Sequence, residues 1–303
     1  MNVIFLDKRG KLFSYFHQVG GHESLLRQKQ YDTFRNKAKL DYLRKWIMDK
    51  RITSQIQLFK DLVIEPKRFY NSYNQKWQVS DNQHSNRNYS LSINEEVKEE
   101  IKKVILLMEK EHLRLKSADG LREIMQVEDN IGKKYHPTFS KCFNEELRFN
   151  TRNSQRRHTA NDASDVINGL LNYGFGILYG EVTKAFNTIG FDCSVGFYHQ
   201  PHASNLVLVY DIIEIFRDLV ERSVFEIKDQ IKRKDYTFSI KVLILLSNYL
   251  KNRYIDLLST IMSRILLYKA RTGIRRKDGN QKMEEYTIIK MKCFELKESL
   301  GVD

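Results

Sequence analysis

Cysteine is scarce in this 303-residue chain, and the three present, Cys142, Cys193 and Cys293, lie far apart. No C-x-x-C pair exists, which argues against a structural zinc cluster. The chain therefore suits a reducing cytoplasm, and any metal site should draw on His, Asp and Glu. Long apolar runs are also missing. The longest, "KVLILLSNYL" and "NLVLVYDII", fall well short of the ~20 residues that cross a bilayer, so no membrane association is expected. The apolar stretch in "MNVIFLDKRG" is too short for a secretory signal. There is no G-x-S-x-G elbow, Walker A motif, H-E-x-x-H or EF-hand loop. "GFGILYG" has spaced glycines but lies in a helical pattern, so it is not a phosphate loop. The cysteines have no activating setting, and there is no internal repeat.

What is abundant is positive charge. The formal net charge is +13 and the sequence pI is about 9.4, an excess that suits a polyanion such as nucleic acid or an anionic surface. Plain solubility is the alternative reading. With 41% hydrophobic residues the chain can build a sizeable core, as one large domain or two ordinary ones.

The pattern along the chain predicts a mainly α fold with a small β element at the start. "NVIFLDKRGKLFSYF" reads as a β-hairpin around a turn at Asp7–Gly10. From Glu23 the pattern is helical, with Leu40, Leu43, Ile47, Ile52, Ile56 and Leu62 at mostly helical steps and no Pro or Gly to stop it. Arg68 to Ser92 is polar and Asn-rich and reads as a long loop. Its Arg68, Tyr70, Tyr73, Lys76 and Trp77 are either a solvated surface or a stacking platform for nucleic acid. Asn94 or Ser92 should cap the next helix, and Pro137 should end or kink the one after. "RFNTRNSQRRHTAND" is a basic loop carrying Arg148, Arg152, Arg156 and Arg157. Asp162, paired with Asp165, should cap the next helix, whose Gly169, Gly174, Gly176 and Gly180 make sense if a neighbour approaches closely. The last hundred residues, "FSIKVLILLSNYL" included, read as helical, interrupted by a second basic loop with Arg271, Arg275, Arg276 and Lys277.

One region suggests chemistry. His199 lies in a loop between Gly196 and Pro201, and Asp211, Glu214, Asp218 and Glu221 come after it on one helical face. The ordinary reading is a hydrogen-bonded loop histidine beside a solvated acidic face. The sharper one is a mixed N/O site for Mn²⁺ or Mg²⁺, built from His199 with Asp211 and Glu214. Metal-assisted chemistry on a polyanion is then what remains.

The stretch from Asn168 to Arg222, "NGLLNYGFGILYGEVTKAFNTIGFDCSVGFYHQPHASNLVLVYDIIEIFRDLVER", resembles the signature of the CRISPR-associated spacer-acquisition integrases. Its order is an Asn-containing helix, a Gly-Phe-x-His loop and a Tyr-Asp-x-x-Glu-x-x-Arg helix. "VEDNIGKKYHPTF" resembles the segment that supplies a metal-binding glutamate, although Asp129 comes directly after that glutamate where the family has a small residue. The resemblance implies that Glu128, His199 and Glu214 are metal ligands for Mg²⁺ or Mn²⁺. Asp211 is implied as the adjacent assisting acid, with Asn168, Tyr179, Arg217 and Glu221 in supporting positions. It further implies an N-terminal β-domain ahead of an α-helical catalytic domain, a homodimer or dimer of dimers, and a small second adaptation protein. The reaction implied joins the 3′-hydroxyl ends of a short double-stranded DNA to a repeat array. The basic loops would hold that DNA.

On this resemblance residues 1–20 are a partial β-domain, a hairpin without the strands that usually precede it, and residues 21–303 are the catalytic domain. Two other readings stay open. A transposon-borne integrase of the same family is less expected because the chain ends at "LKESLGVD" without room for an extra DNA-binding domain. A non-catalytic DNA-binding scaffold is the other.

Overall fold

Asn36 divides the first helical stretch in two. Its backbone is extended and its side-chain oxygen accepts from the Lys39 N–H, so it starts a new helix instead of continuing the old one. In the computed structural model α1 spans His22–Arg35 and α2 spans Lys37–Val63, where the sequence pattern ran on unbroken. The structure describes residues 3–6, 12–16, 22–64, 68–71, 76–79, 89–152, 163–199, 206–238, 244–273 and 286–301.

Helix α2 lies at the centre. Leu43, Ile47, Met48, Ile52, Phe59 and Leu62 are buried along it, together with the polar Arg51 and Gln55. Against it pack α3 (Glu95–Ser117) and α4 (Gly120–Ser140). Asn94 caps α3 by accepting from the Val97 N–H at 2.8 Å. Pro137 does not end α4, which continues to Ser140 with the proline in its last turn. Helix α5 (Val166–Ile189) is capped by Asp165, which accepts from the Asn168 N–H at 2.8 Å. Asp162, the expected cap, lies outside the described residues and before the observed start. Gly190 closes α5 in the left-handed region, φ 101°, which turns the chain sharply into the histidine loop.

The expected acidic helix is not one regular helix. It runs as α6 (Val207–Ile213), a tight 3-10 turn at Glu214–Phe216, and α7 (Arg217–Ile227). Helices α8 (Asn248–Gly273) and α9 (Tyr286–Ser299) pack on α7 and α5 respectively. A side chain at Gly174 would collide with the Tyr254 hydroxyl and come within 2.7 Å of Val220, so α5, α7 and α8 meet at a bare backbone. Gly176 faces open space, so close approach accounts for Gly174 and not for its neighbour.

Three two-stranded antiparallel hairpins complete the described residues. β1 (Val3–Leu6) and β2 (Leu12–Phe16) form the expected first one, with Val3 opposite Phe16. β3 (Arg68–Asn71) and β4 (Lys76–Val79) lie inside the segment expected to be a loop. There the register sets Tyr70 opposite Trp77. β5 (Tyr236–Phe238) and β6 (Ile244–Leu246) replace the expected helix start at "FSIKVLILL". The Ser247 N–H bonds the Asp235 carbonyl at 2.8 Å and closes that hairpin. A short apolar run fits strand and helix equally by periodicity, and pairing decides between them.

Candidate metal centre

Asp211 is fully buried, and three consecutive backbone amides point at it. Phe197 and Tyr198 donate to Oδ2 at 2.5 and 2.9 Å, and His199 donates to Oδ1 at 2.9 Å. The His199 ring nitrogen Nδ1 lies 2.7 Å from the same Oδ1. Because a carboxylate only accepts, Nδ1 carries a proton, and in the neutral ring Nε2 keeps its lone pair for another partner. Gly196 makes the tight loop possible, since a Cβ there would lie 2.6 Å from Asp211 Oδ2 and 2.7 Å from Val207 Cγ1. Burial acts to lower the His199 pKa, but the hydrogen bond and charge of Asp211, reinforced by Glu214 and Glu128, raise it overall. The ring stays 45% exposed, open to a ligand.

Two carboxylates whose charges act on this histidine meet at one guanidinium. Glu128 comes from α4 and Glu214 from the tight turn, and both contact the same guanidinium nitrogen, Nη1 of Arg51 on α2. The Glu214 contact is 2.8 Å, yet Glu214 Oε2 is buried and has no directed hydrogen bond. Its other oxygen accepts from Arg217 Nη1 at 2.9 Å. Burial pushes the Glu214 pKa up, but Arg217 and Arg51 outweigh it and hold the group below its ordinary value. Tyr198 donates its hydroxyl to Glu128 Oε2. Burial, and then the Glu128 charge, push the Tyr198 phenol well up, so it remains a donor.

The remaining expected residues divide into groups. Arg217 also stacks on Phe175, its Cζ 4.6 Å from the ring centroid. Asn168 is buried, donating to Asp165 and the Thr151 carbonyl and accepting from Arg152 at 3.1 Å. Arg152, expected in a free basic loop, is thus held against α5, where it also bonds Asn172 at 2.7 Å. Tyr179 packs on Tyr210, with centroids 5.1 Å apart, and burial pushes its phenol up to about 12. Arg148 is exposed, in a left-handed turn with φ 53°. Arg156, Arg157, Arg275, Arg276 and Lys277 lie outside the described residues. Arg271 belongs to α8 by its backbone alone.

The solvated acidic face does not exist. Asp211, Glu214, Asp218 and Glu221 are all buried, because α2 and α5 pack on that run and Tyr135 of α4 covers Glu221. Glu221 accepts from the buried Tyr135 hydroxyl at 2.6 Å, about two turns beyond Glu214. Arg51 and the nearby His136 carry no signal in the sequence. His136 is held neutral, its pKa lowered to about 3 by burial and then by the charges of Arg217, Arg51 and Arg152. Nothing in α2 marks Arg51 among so many basic residues except its place on the buried face.

Among the described residues no three His, Cys, Asp or Glu side chains stand in an arrangement that could hold an ion. The donor set nonetheless fits a divalent cation. Two carboxylates converge on a positive charge, Glu214 Oε2 is buried without a hydrogen bond, and both charges reach the carboxylate-held imidazole and help raise its pKa. The Arg51 nitrogen supplies there the compensating charge that a cation would bring.

Comparison with known proteins identifies the family. Residues 1–259 match the family described as CRISPR associated protein Cas1. A CRISPR-associated endonuclease Cas1 from Methanospirillum hungatei is 35% identical over 129 residues, 42% of this chain and 36% of the relative. The match thus spans about a third of that protein's length. No helix among the described residues is long and apolar enough to cross a membrane. Two solved structures share the fold across 99% of this chain. One is a casposase bound to integration product (TM-score 0.69, 22% identity, 71% of that chain covered). The other is a partial Cas6-RT-Cas1–Cas2 complex (TM-score 0.70, 18% identity, 77% covered). With the family matched over most of its length, the chain belongs to the CRISPR associated protein Cas1 family.

Proposed function

We propose that the chain is a metal-dependent DNA endonuclease and integrase of CRISPR adaptation, inserting short spacer fragments into the repeat array. The observation that carries this reading is the meeting of Glu128 and Glu214 at Arg51, within electrostatic reach of the Asp211-bound His199. Glu128, His199 Nε2 and Glu214 would hold Mg²⁺ or Mn²⁺. When bound, the ion supplies Lewis-acid polarisation of the target phosphate. The fragment's 3′-oxygen forms a new P–O bond as the target strand's own 3′-oxygen leaves, so one phosphodiester replaces another and no protein nucleophile is needed. Asp211 fixes the ring orientation and tautomer of His199. Arg217 keeps Glu214 ionised and sets its carboxylate plane. Arg51 and Arg217 put positive charge beside the phosphate, where charge accumulates in the transition state. Exposed Arg148, with Arg156, Arg157, Arg271, Arg275, Arg276 and Lys277, would contact DNA backbone.

The protein would act in the prokaryotic cytoplasm as a homodimer or a dimer of dimers, with a small second adaptation protein. A solved relative is in complex with Cas2, which supports that last point. Purified protein with Mn²⁺ should join a short 3′-OH duplex to a plasmid carrying a repeat array. Glu128→Ala and His199→Ala should each abolish joining, and wild-type-like joining by either refutes the site. The casposase likeness favours a second reading, a transposon-type integrase of the same chemistry. Equal joining to a plasmid without repeats would select it, and metal binding without any joining would select a DNA-binding scaffold.

A further inference from the structure

The histidine loop is held from outside by a group of side chains that no catalytic role accounts for. Gln30 on α1 is fully buried and is spent entirely on the backbone of that loop. Its amide nitrogen donates to the Asp192 carbonyl at 2.8 Å and the Val195 carbonyl at 2.7 Å, and its oxygen accepts from the Asp192 N–H at 3.0 Å. Neighbours extend the grip. Tyr31 donates to the Asp192 side chain at 2.7 Å, Arg27 to the Gly190 carbonyl at 3.1 Å, and Arg44 on α2 to the Phe197 carbonyl at 2.8 Å.

The loop therefore has two attachments. One is internal, the Asp211 carboxylate that receives the amides of residues 197–199. The other comes from helices about 160 positions earlier in the chain. A buried amide with three good hydrogen bonds is costly to disturb, because each lost bond strands a backbone group away from water. Fixing both carbonyls and the amide at 192–195 leaves the next residues little freedom to reorient. The imidazole sits at the end of that lever.

We infer that Gln30 is a positioning residue for His199: it acts through the loop backbone and sets how well the ring meets a cation shared with Glu128 and Glu214. This rests on the metal site proposed above, so the test separates the two. Gln30→Met in the full chain keeps the volume and removes all three bonds. Leu250→Val, a buried change on α8, serves as a control for general destabilisation. Two quantities are read: amide hydrogen exchange of residues 197–199 without metal, and Mn²⁺ affinity monitored by electron paramagnetic resonance.

Gln30→Met should speed exchange at 197–199 about tenfold, although none of those amides bonds Gln30, and should weaken Mn²⁺ binding about tenfold, as loss of an outer-shell partner does. Leu250→Val should do neither. Unchanged exchange at 197–199 overturns the inference. So does faster exchange with wild-type Mn²⁺ affinity, provided Glu128→Ala abolishes binding. If the wild type itself binds no Mn²⁺, the metal reading fails, and the exchange result alone supports or overturns the hold on the loop.

Discussion

One helical run carries two buried acidic clusters with opposite characters. Midway along it, Glu214 meets Glu128 around Arg51, leaves one buried oxygen without a hydrogen bond, and acts by its charge on a half-exposed histidine. About two turns later, Glu221 is sealed against Tyr135, and Arg222 pairs with Asp61 at 2.8 Å. The tight turn at Glu214–Phe216 separates them. A 3-10 turn advances about 120° per residue against about 100° for an α-helix, so three residues rotate helix α7 by roughly 60° relative to a continuous α-helix. Acids that a regular helix would align face different neighbours. The comparison teaches that a carboxylate's partners and access decide its role, and its sequence spacing does not.

Exchanging the two acids should break the symmetry most strongly. Glu214→Gln should lower strand-transfer rate by about 10²–10³-fold, the scale of losing one key electrostatic group. Glu221→Gln keeps an acceptor for Tyr135 and should stay within about threefold of wild type. Equal losses in a gel-based joining assay would erase the distinction.

The lower cluster should answer in stability instead. Arg222→Ala leaves Asp61 without its buried partner and should cost about 3 kcal/mol in denaturant unfolding. Activity per folded molecule should hold, and a large rate loss without a stability loss would reverse the assignment.

Acid should pull the two ends apart more gently. His136, beside the upper cluster, has its folded pKa lowered to about 3 from 6.5 by burial and then by Arg217, Arg51 and Arg152. The unfolded chain takes up that proton first, so the stability it supports is present above pH 6.5 and falls as pH drops toward 3. Glu221 goes the other way. Burial raises its folded pKa to about 6 from 4.5, so its contribution is present below pH 4.5 and lost as pH rises through 6. His136→Gln should therefore flatten the acid limb of a melting-temperature profile, and Glu221→Gln should remove the opposing gain near pH 5. Parallel profiles for both variants would show that neither group is coupled to folding.

Much of the candidate site was legible in the sequence. Gly196, His199, Asp211 and Glu214 lie close together along the chain, and a local pattern of this kind survives folding because the chain itself holds the residues together. The distant contributors were not. Arg51 reaches Glu128 across 77 positions, and Gln30 reaches Val195 across 165. Each sits in a basic, polar helix where burial alone distinguishes it from its neighbours. The mainly α fold was equally plain from periodicity, while the short hairpins at Arg68–Val79 and Tyr236–Leu246 were not. Strands of three or four residues carry too little alternation to stand out, and only the partner strand makes them strands. The acidic face misled for the same reason, since periodicity shows that residues share a side and says nothing of what covers it.

Gly174 has a consequence for how the chain tolerates cutting and replacement. Tyr254 on α8 is fully buried with its hydroxyl end seated on that glycine, and Val220 of α7 shares the spot. The ring is a wedge, driven in from the C-terminal third behind the helix that carries the acids. Trimming the chain ahead of Tyr254, or shrinking that ring to alanine, would leave a void the size of the phenol, at about 3–5 kcal/mol for a buried aromatic. The last long helix is thus part of the helical interior, and its removal would be felt at the reverse face of the candidate site before any surface was lost.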